Sequence, residues 1–434
     1  MNTFKHLRNV LELQIKMMNN SRSLFVEHPE VDFTRDRKLT FDKTVKSLLS
    51  LEAGALNDEL LKIYDYSLDT PSASAYIQAR DKIKVDAFQH LFNEFNNRTH
   101  KNKLYKGYRL LAVDGCEIPI DNTVKDNETS LQRKDLSTYS AYHLNASYDL
   151  LECTYDDLII QGQAKMNENG AFFDLVDRYK GKKAIFIADR GYESYNGFEH
   201  VVHSGNKYLI RVRDITSKKC LTQSLGPYPD QDEFDIDVFR LLTLKQTKMT
   251  KACPQLYRFM PKTSSFDYMS KEVPFYEFNC RIVRFKITDD TYECIMTNLD
   301  REEFPAEEIK RLYNMRWGIE TSFRWIKYAL DLNAFHSKKR KLIKQEIYAR
   351  VIIYNLSQRV VQEIKISKKK RKYTYQVNFT RAFHIIREAL KRKTGAPTPV
   401  DQLIAKEILP VRPGRSNTRH VNPKKVVCFN YRYD

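Results

Sequence analysis

The chain has 434 residues, 42% hydrophobic and 29% charged, enough for a folded core and too apolar for a wholly disordered protein. No run approaches the ~18 apolar residues of a membrane-spanning helix. The seven cysteines form no C-x-x-C pair, so a secreted disulfide scaffold, a thioredoxin-type site and structural zinc are set aside, and a reducing cytosol is the expected compartment. The formal charge is +18, from 73 Lys and Arg against 55 Asp and Glu, a balance that favours a polyanionic partner.

Residues 1–105 read as helical. The first twenty form an amphipathic segment without the apolar centre of an export signal. TFDKTVKSLLSLEAGALNDELLKIY follows with apolar residues at helical spacing, Thr70-Pro71 reads as an N-cap and first-turn proline, and SASAYIQARDKIKVDAFQHLFNEF as two short helices. Arg80, Lys82 and Lys84 beside the turn between those two suit a module that binds DNA ends. A plain helical cap on the next domain is the competing reading.

From 106 to 212 the texture is α/β. YRLLAVDG is a buried strand stopping at an acid, SAYHLNASYDLL and YDDLIIQG are hairpin-connected strands, GAFFDLVDRY is a helix, AIFIADRG a strand, 195–203 a helix and KYLIRVR a strand. This β-β-β-α-β-α-β order leaves Asp114 and Asp189 at the C-terminal ends of strands, the edge where open α/β sheets gather ligand chemistry. Residues 213–300 switch to period-2 alternation, as in RIVRFKI, and read as an antiparallel β insertion with LYRFM and VFRLLTL; its acidic stretch DQDEFDID reads as a solvated loop.

Residues 301–340 carry the most informative helix, YNMRWGIETSFRWIK at 313–327. At 100° per residue, Tyr313, Arg316, Glu320, Arg324 and Lys327 share an arc of ~80°, while Met315, Ile319, Phe323, Ile326 and Leu330 form an apolar stripe beside it. A surface helix with Glu320 paired to Arg316 and Arg324 accounts for the spacing alone. Trp317 and Trp325 in addition to the stripe indicate a helix buried on most sides, whose polar stripe then faces a cleft. Asp114, Asp189 and Glu320, converging without histidine or cysteine, suit hard cations with oxygen ligands, Mg²⁺ or Mn²⁺. A pair of such ions serves in-line phosphoryl displacement, and Arg316, Arg324 and Lys327 would grip phosphates. His200/His203 read as a helix-end pair without metal, and Asp156/Asp157 as strand-edge acids rather than a fourth carboxylate.

Residues 341–434 read as a basic helical region. From 334 onward 25 basic and 6 acidic residues supply the whole charge excess, since the rest of the chain carries 48 and 49. The densest run is 368–372, beside Tyr373 and Tyr375, between segments of helical spacing.

The spacing Tyr-x2-Arg-x3-Glu-x6-Lys at 313–327 resembles the YREK motif of bacterial insertion-sequence 4 transposases. MTNLD at 296–300 is similar to the segment leading into it, and VDGCEIPI and Asp189-Arg190-Gly191-Tyr192 resemble the two aspartate blocks. The resemblance implies an α/β, RNase H-like catalytic core interrupted by the β insertion and flanked by helical regions. It implies a DDE triad of Asp114, Asp189 and Glu320 holding two Mg²⁺ or Mn²⁺ ions, with Tyr313, Arg316, Arg324, Lys327, Arg190 and Tyr192 toward DNA. The implied chemistry is cleavage at element ends, then 3′-hydroxyl strand transfer into target DNA. The implied partners are double-stranded DNA with terminal inverted repeats and a second copy in a synaptic homodimer, in the cytoplasm at the nucleoid and with no membrane. With no tryptophan in the insertion, Tyr292 or Tyr257 would have to stack a flipped base if a DNA hairpin is formed. A catalytically silent DNA-binding derivative and an RNase H-like nuclease without strand transfer are the alternative functions.

Overall fold

The computed structural model describes residues 3–35, 37–132, 138–218, 220–261, 264–366, 372–392, 398–412 and 428–429; the basic run over 368–371 lies outside them. The N-terminal helices are α1 (Thr3–Asn20), α2 (Phe41–Ser50), α3 (Leu56–Ile63), α4 (Ala73–Asp81) and α5 (Val85–Thr99). Helix α1 buries Phe4, Leu7, Leu11, Ile15 and Met18, one face at helical spacing. The segment of helical spacing over 40–64 forms two helices, because the buried Glu59 carboxylate accepts the amides of Glu52 and Gly54 and holds a turn there. Helix α4 starts two residues later than Thr70-Pro71 suggests, with the Ser72 hydroxyl accepting from the Ala75 amide.

The core sheet is built from β1 (Arg109–Pro119), a short unforeseen β2 (Ser130–Gln132), β3 (Thr138–Asp149), β4 (Thr154–Gly162), β5 (Ala184–Ala188) and β6 (Lys207–Val212). Helices α6 (Glu168–Asp177) and α7 (Tyr195–His203) connect its later strands. Strand order β4-β3-β1-β5-β6, antiparallel on both sides of β3 and parallel from β1 to β6, is the RNase H-like arrangement that the resemblance implies. Alternation splits the core by face. Leu110, Ala112, Ile185, Ile187 and Leu209 pack with the terminal helices, and Leu111, Val113, Phe186, Ala188 and Ile210 pack with α6 and α7.

The insertion contains β7 (Phe234–Thr243), α8 (Lys248–Ala252), β8 (Tyr257–Phe259), β9 (Phe275–Thr288) and β10 (Thr291–Thr297). Its strand β10 pairs antiparallel with β6, so the insertion prolongs the core sheet to ten strands. Two expectations are corrected. Strand β8 runs parallel to β7. The second half of DQDEFDID is the start of β7, with Phe234 buried and Asp235 turned to Arg281 and Arg301, so this acid is paired rather than solvated.

Helices α9 (Ala306–Met315), α10 (Trp317–Tyr328), α11 (Arg340–Val361) and α12 (Phe379–Lys391) complete the fold. Helix α11 is buried along most of its length against α2, α5, α12 and β4. Part of the C-terminal basic charge is therefore structural: Arg350, Arg359 and Arg387 are buried and donate to the carbonyls of Glu52, Thr99 and Leu330. Arg80 is fully buried too, donating to Glu346 at 2.9 Å and to the Leu342 carbonyl at 2.8 Å, so α4 and the turn after it cap the core instead of presenting that arginine to DNA. Among the described residues no helix is long and apolar enough to cross a membrane.

Candidate active site

The parallel pairing of β1 with β5 ends at Val113 opposite Ala188, so the next residues, Asp114 and Asp189, stand side by side on strands ~4.8 Å apart. Asp189 closes its strand, as expected. Asp114 does not: β1 runs on to Pro119 because its antiparallel pairing with β3 continues, and the acid sits where the parallel half of the sheet stops. Each carboxylate is oriented by a glycine amide, Gly115 to Asp114 Oδ1 and Gly191 to Asp189 Oδ1, both at 2.8 Å.

The third acid comes from the helical layer. The expected continuous helix over 313–327 is broken at Arg316, where the Arg316 amide bonds the Tyr313 carbonyl and the Ile319 amide bonds that of Arg316, both three residues apart. Past the break, α10 buries Ile319, Phe323 and Ile326 and comes down closely on the sheet; a Cβ on Gly318 would lie 3.0 Å from Leu150 Cδ2. The Arg316 guanidinium, only 4% exposed, joins the two layers: Nη2 is 2.7 Å from Glu320 Oε1 and Nη1 is 3.5 Å from Asp114 Oδ2. The helical pair Arg316–Glu320 thus exists, but as part of a bridge to the strand acid rather than on a free surface.

Burial pushes the Asp114 carboxyl up to about 6; the Gly115 amide and Arg316 pull against this, while Asp189 and Glu320 add to it. All three acids therefore share one electrostatic site. Because the guanidinium stands between Asp114 and Glu320, the set does not close to within 4.8 Å. Two other groups among the described residues do, but their carboxylates are engaged. In His100/Asp149/Glu152, Arg109 holds Asp149 and Arg359 holds Glu152; in Glu52/His384/Glu388, Lys391 lies between the two glutamates.

The other expected site residues separate into two kinds. Arg324 and Arg190 are exposed. Lys327 faces the Cys116 thiol, two residues beyond Asp114 on β1, which burial pushes up to about 11 against the pull of that ammonium. Tyr313 and Tyr192 are each 2% exposed, enclosed in the fold rather than on an open surface; Tyr313 lies beneath Arg316, 5.6 Å from ring centroid to guanidinium. Trp317 is not part of a buried helix face, being 57% exposed, whereas Trp325 stacks on Phe379. Tyr292 is covered by Arg284 at 3.9 Å, and Tyr257 packs at a tilt on Phe275. Asp156 pairs with Arg109 and Asp157 with Arg178, while His200 is clamped between Asp177 and Asp267.

Two residues beside the centre escaped the sequence reading. The buried His143 of β3 places Nε2 2.9 Å from Oε1 of Glu168, in the first turn of α6, and both lie against Gly115. The available signal was Gly115 itself, since a glycine inside a strand marks a close approach.

Residues 105–356 match the family model described as the transposase DDE domain. The transposase InsG of insertion sequence element IS4 from Escherichia coli (strain K12) is 22% identical over 331 residues, covering 74% of this chain and 68% of that protein. The transposase for insertion sequence element IS421 from Escherichia coli is 32% identical over 68 residues, 16% of this chain and 18% of that protein. Among solved structures, a cryo-EM piggyBac transposase synaptic complex with hairpin DNA aligns over 97% of this chain and 87% of that one, at TM-score 0.45 and 10% identity.

Proposed function

The chain belongs to the DDE transposase family, and from that premise we propose that it cleaves DNA at the ends of an insertion sequence and joins the freed 3′-hydroxyls to target DNA. The observation that carries this reading is the Arg316 guanidinium shared by Glu320 and Asp114, with Asp189 next to Asp114 in register. It explains why the family's arginine and glutamate are four residues apart on a helix that docks on the aspartate strands.

The three acids fit a hard divalent cation, since the donors are carboxylate oxygens with neither sulfur nor imidazole among them. Asp114, Asp189 and Glu320 would hold two Mg²⁺ or Mn²⁺ ions. When bound, such ions would activate a water or the DNA 3′-hydroxyl as nucleophile at neutral pH and would stabilise the leaving oxygen. The protein's own part is positioning. The Gly115 and Gly191 amides fix the rotamers of the two aspartates, and Arg316 keeps Glu320 turned toward the sheet. Arg324 and Arg190, exposed beside the site, and Lys327 grip backbone phosphates. The working form is a homodimer on paired terminal inverted repeats, in the cytoplasm at the nucleoid.

The test is incubation of the full chain with duplexes carrying the flanking terminal repeats, a target plasmid and Mg²⁺, followed by mapping of product ends. Nicks at the repeat termini with 3′ ends joined to the plasmid support transposition. Cleavage without joining leaves a nuclease, and sequence-specific binding without cleavage leaves a silent derivative.

A further inference from the structure

Behind the three acids lies a second layer of polar groups that the reading above does not use. Gly115, whose amide holds Asp114, has the His143 imidazole pressed against its bare Cα: an added Cβ would lie 2.2 Å from Nε2 and 3.0 Å from Glu168 Oε1. His143 in turn holds Glu168, at 2.9 Å, and Glu168 is partly exposed at the start of α6. Asp114, Gly115, His143 and Glu168 are thus one unbroken chain of contacts from the carboxylate centre to a fourth acid.

Tyr192 provides an independent observation. It follows Asp189 by three residues, packs on Phe172 of α6 and is 2% exposed, yet its hydroxyl has no hydrogen-bond partner among the described residues. Its amide bonds the Asp189 carbonyl at 3.2 Å, which ties it to the second aspartate, and burial together with the charges of Asp114, Glu168 and Asp189 keeps its hydroxyl a proton donor. A buried donor left unsatisfied carries a desolvation cost. An oxygen atom delivered with a bound ion removes that cost. Asp156 and Asp157 do not serve as a fourth carboxylate, being held by Arg109 and Arg178.

We propose that Glu168, held by His143, is a fourth carboxylate of the centre, and that Glu168 and the Tyr192 hydroxyl together hold the water shell of the divalent cation carried by Asp114 and Asp189. The inference rests on the metal-ion reading above. Glu168, His143 and Tyr192 are positioning residues in it: they act through metal-bound water rather than on the DNA.

The test is direct Mn²⁺ binding to the full chain by calorimetry, with thermal unfolding in EDTA as the control for folding. Glu168→Gln and Tyr192→Phe should each weaken Mn²⁺ binding about tenfold, as loss of outer-shell partners does. In EDTA the unfolding midpoint of Glu168→Gln should stay near the wild-type value and that of Tyr192→Phe at or above it, since phenylalanine removes the unsatisfied donor. In end cleavage, the Mn²⁺ needed for half-maximal rate should rise by the same factor while the rate at saturating Mn²⁺ changes little, a split that a merely structural role does not produce. His143→Gln, which keeps a donor toward Glu168, should bind Mn²⁺ more tightly than His143→Ala. If Asp114→Asn loses Mn²⁺ binding while Glu168→Gln and Tyr192→Phe bind as wild type, the fourth-carboxylate proposal is overturned and the metal centre stands. If Asp114→Asn also binds as wild type, both fall.

Discussion

Replacing Gly115 by alanine perturbs the site through a single methyl group. The new Cβ would meet His143 Nε2 at 2.2 Å, Cε1 at 2.9 Å and Glu168 Oε1 at 3.0 Å. Carbon contacts settle near 3.5–4.0 Å, so the imidazole must retreat by roughly 1 Å or more. It is buried on β3, and overpacking of this kind costs ~1–3 kcal/mol. Displacement of His143 also loosens Glu168, and any shift of the Gly115 amide moves Asp114, for which a ~1 Å misplacement costs on the order of 10²-fold in rate. Gly115→Ala should therefore lower the unfolding midpoint in a thermal melt and slow end cleavage by about that factor. Adding His143→Ala removes the obstructing ring. The double variant should recover stability and, at saturating Mn²⁺, most of the rate, a coupling measurable in a double-mutant cycle. Wild-type stability and rate in Gly115→Ala, or a loss that His143→Ala does not relieve, would refute the packing argument.

Three further outcomes follow from the same structure. The Glu346 carboxyl, fully buried, is held at about 2 against an ordinary 4.5: burial would raise it, but Arg80 and His336 more than offset that. Its stabilising contribution is present above pH 4.5 and lost as pH falls toward 2; Glu346→Gln should cost about 3–5 kcal/mol near neutrality by leaving Arg80 buried and unpaired, with the gap to wild type narrowing in an acid-unfolding series below pH 4.5. Because Asp114 is pushed up to about 6 and must be ionised to bind a cation, Mn²⁺ affinity should decline as pH falls below that value, and a flat affinity from pH 7 to 5 would contradict it. Arg324→Ala and Arg190→Ala should each reduce the slope of log K against log salt for DNA binding by about one; an unchanged slope would place the phosphate grip elsewhere.

The strand and helix order of the core was legible because alternation and 3.6-residue periodicity record burial locally, and runs as short as Leu110 to Val113 or Ala184 to Ala188 suit a strand covered on both faces. The convergence of Asp114, Asp189 and Glu320 was legible for the same reason, together with the likeness of their surrounding residues to the YREK group. What was missed depends on partners far along the chain. Arg80 looks like a surface base until Glu346, 266 residues away, accounts for its charge. Helix α11 looks like the start of a basic terminal region until Leu51, Thr99 and Glu152 are seen to take its arginines. Asp114 ends no strand, since the continuation of β1 is dictated by β3. The break at Arg316 sits where that side chain is drawn to an acid on another layer, which a helical wheel does not contain. Tyr192 next to an aspartate reads as a ligand contact, and only the packing of α6 reveals that it is enclosed. For deletions the consequence is practical: removing the chain after residue 334 takes away α11 and with it the core, so such a truncation reports on folding and not on DNA contact.

The most direct measurement compares wild type and Glu320→Gln on a duplex bearing the terminal repeats in Mg²⁺, reading both retention of the DNA and release of 3′-hydroxyl ends. The account predicts equal retention, with end release by wild type and essentially none by Glu320→Gln. End release by Glu320→Gln at the wild-type rate would contradict it.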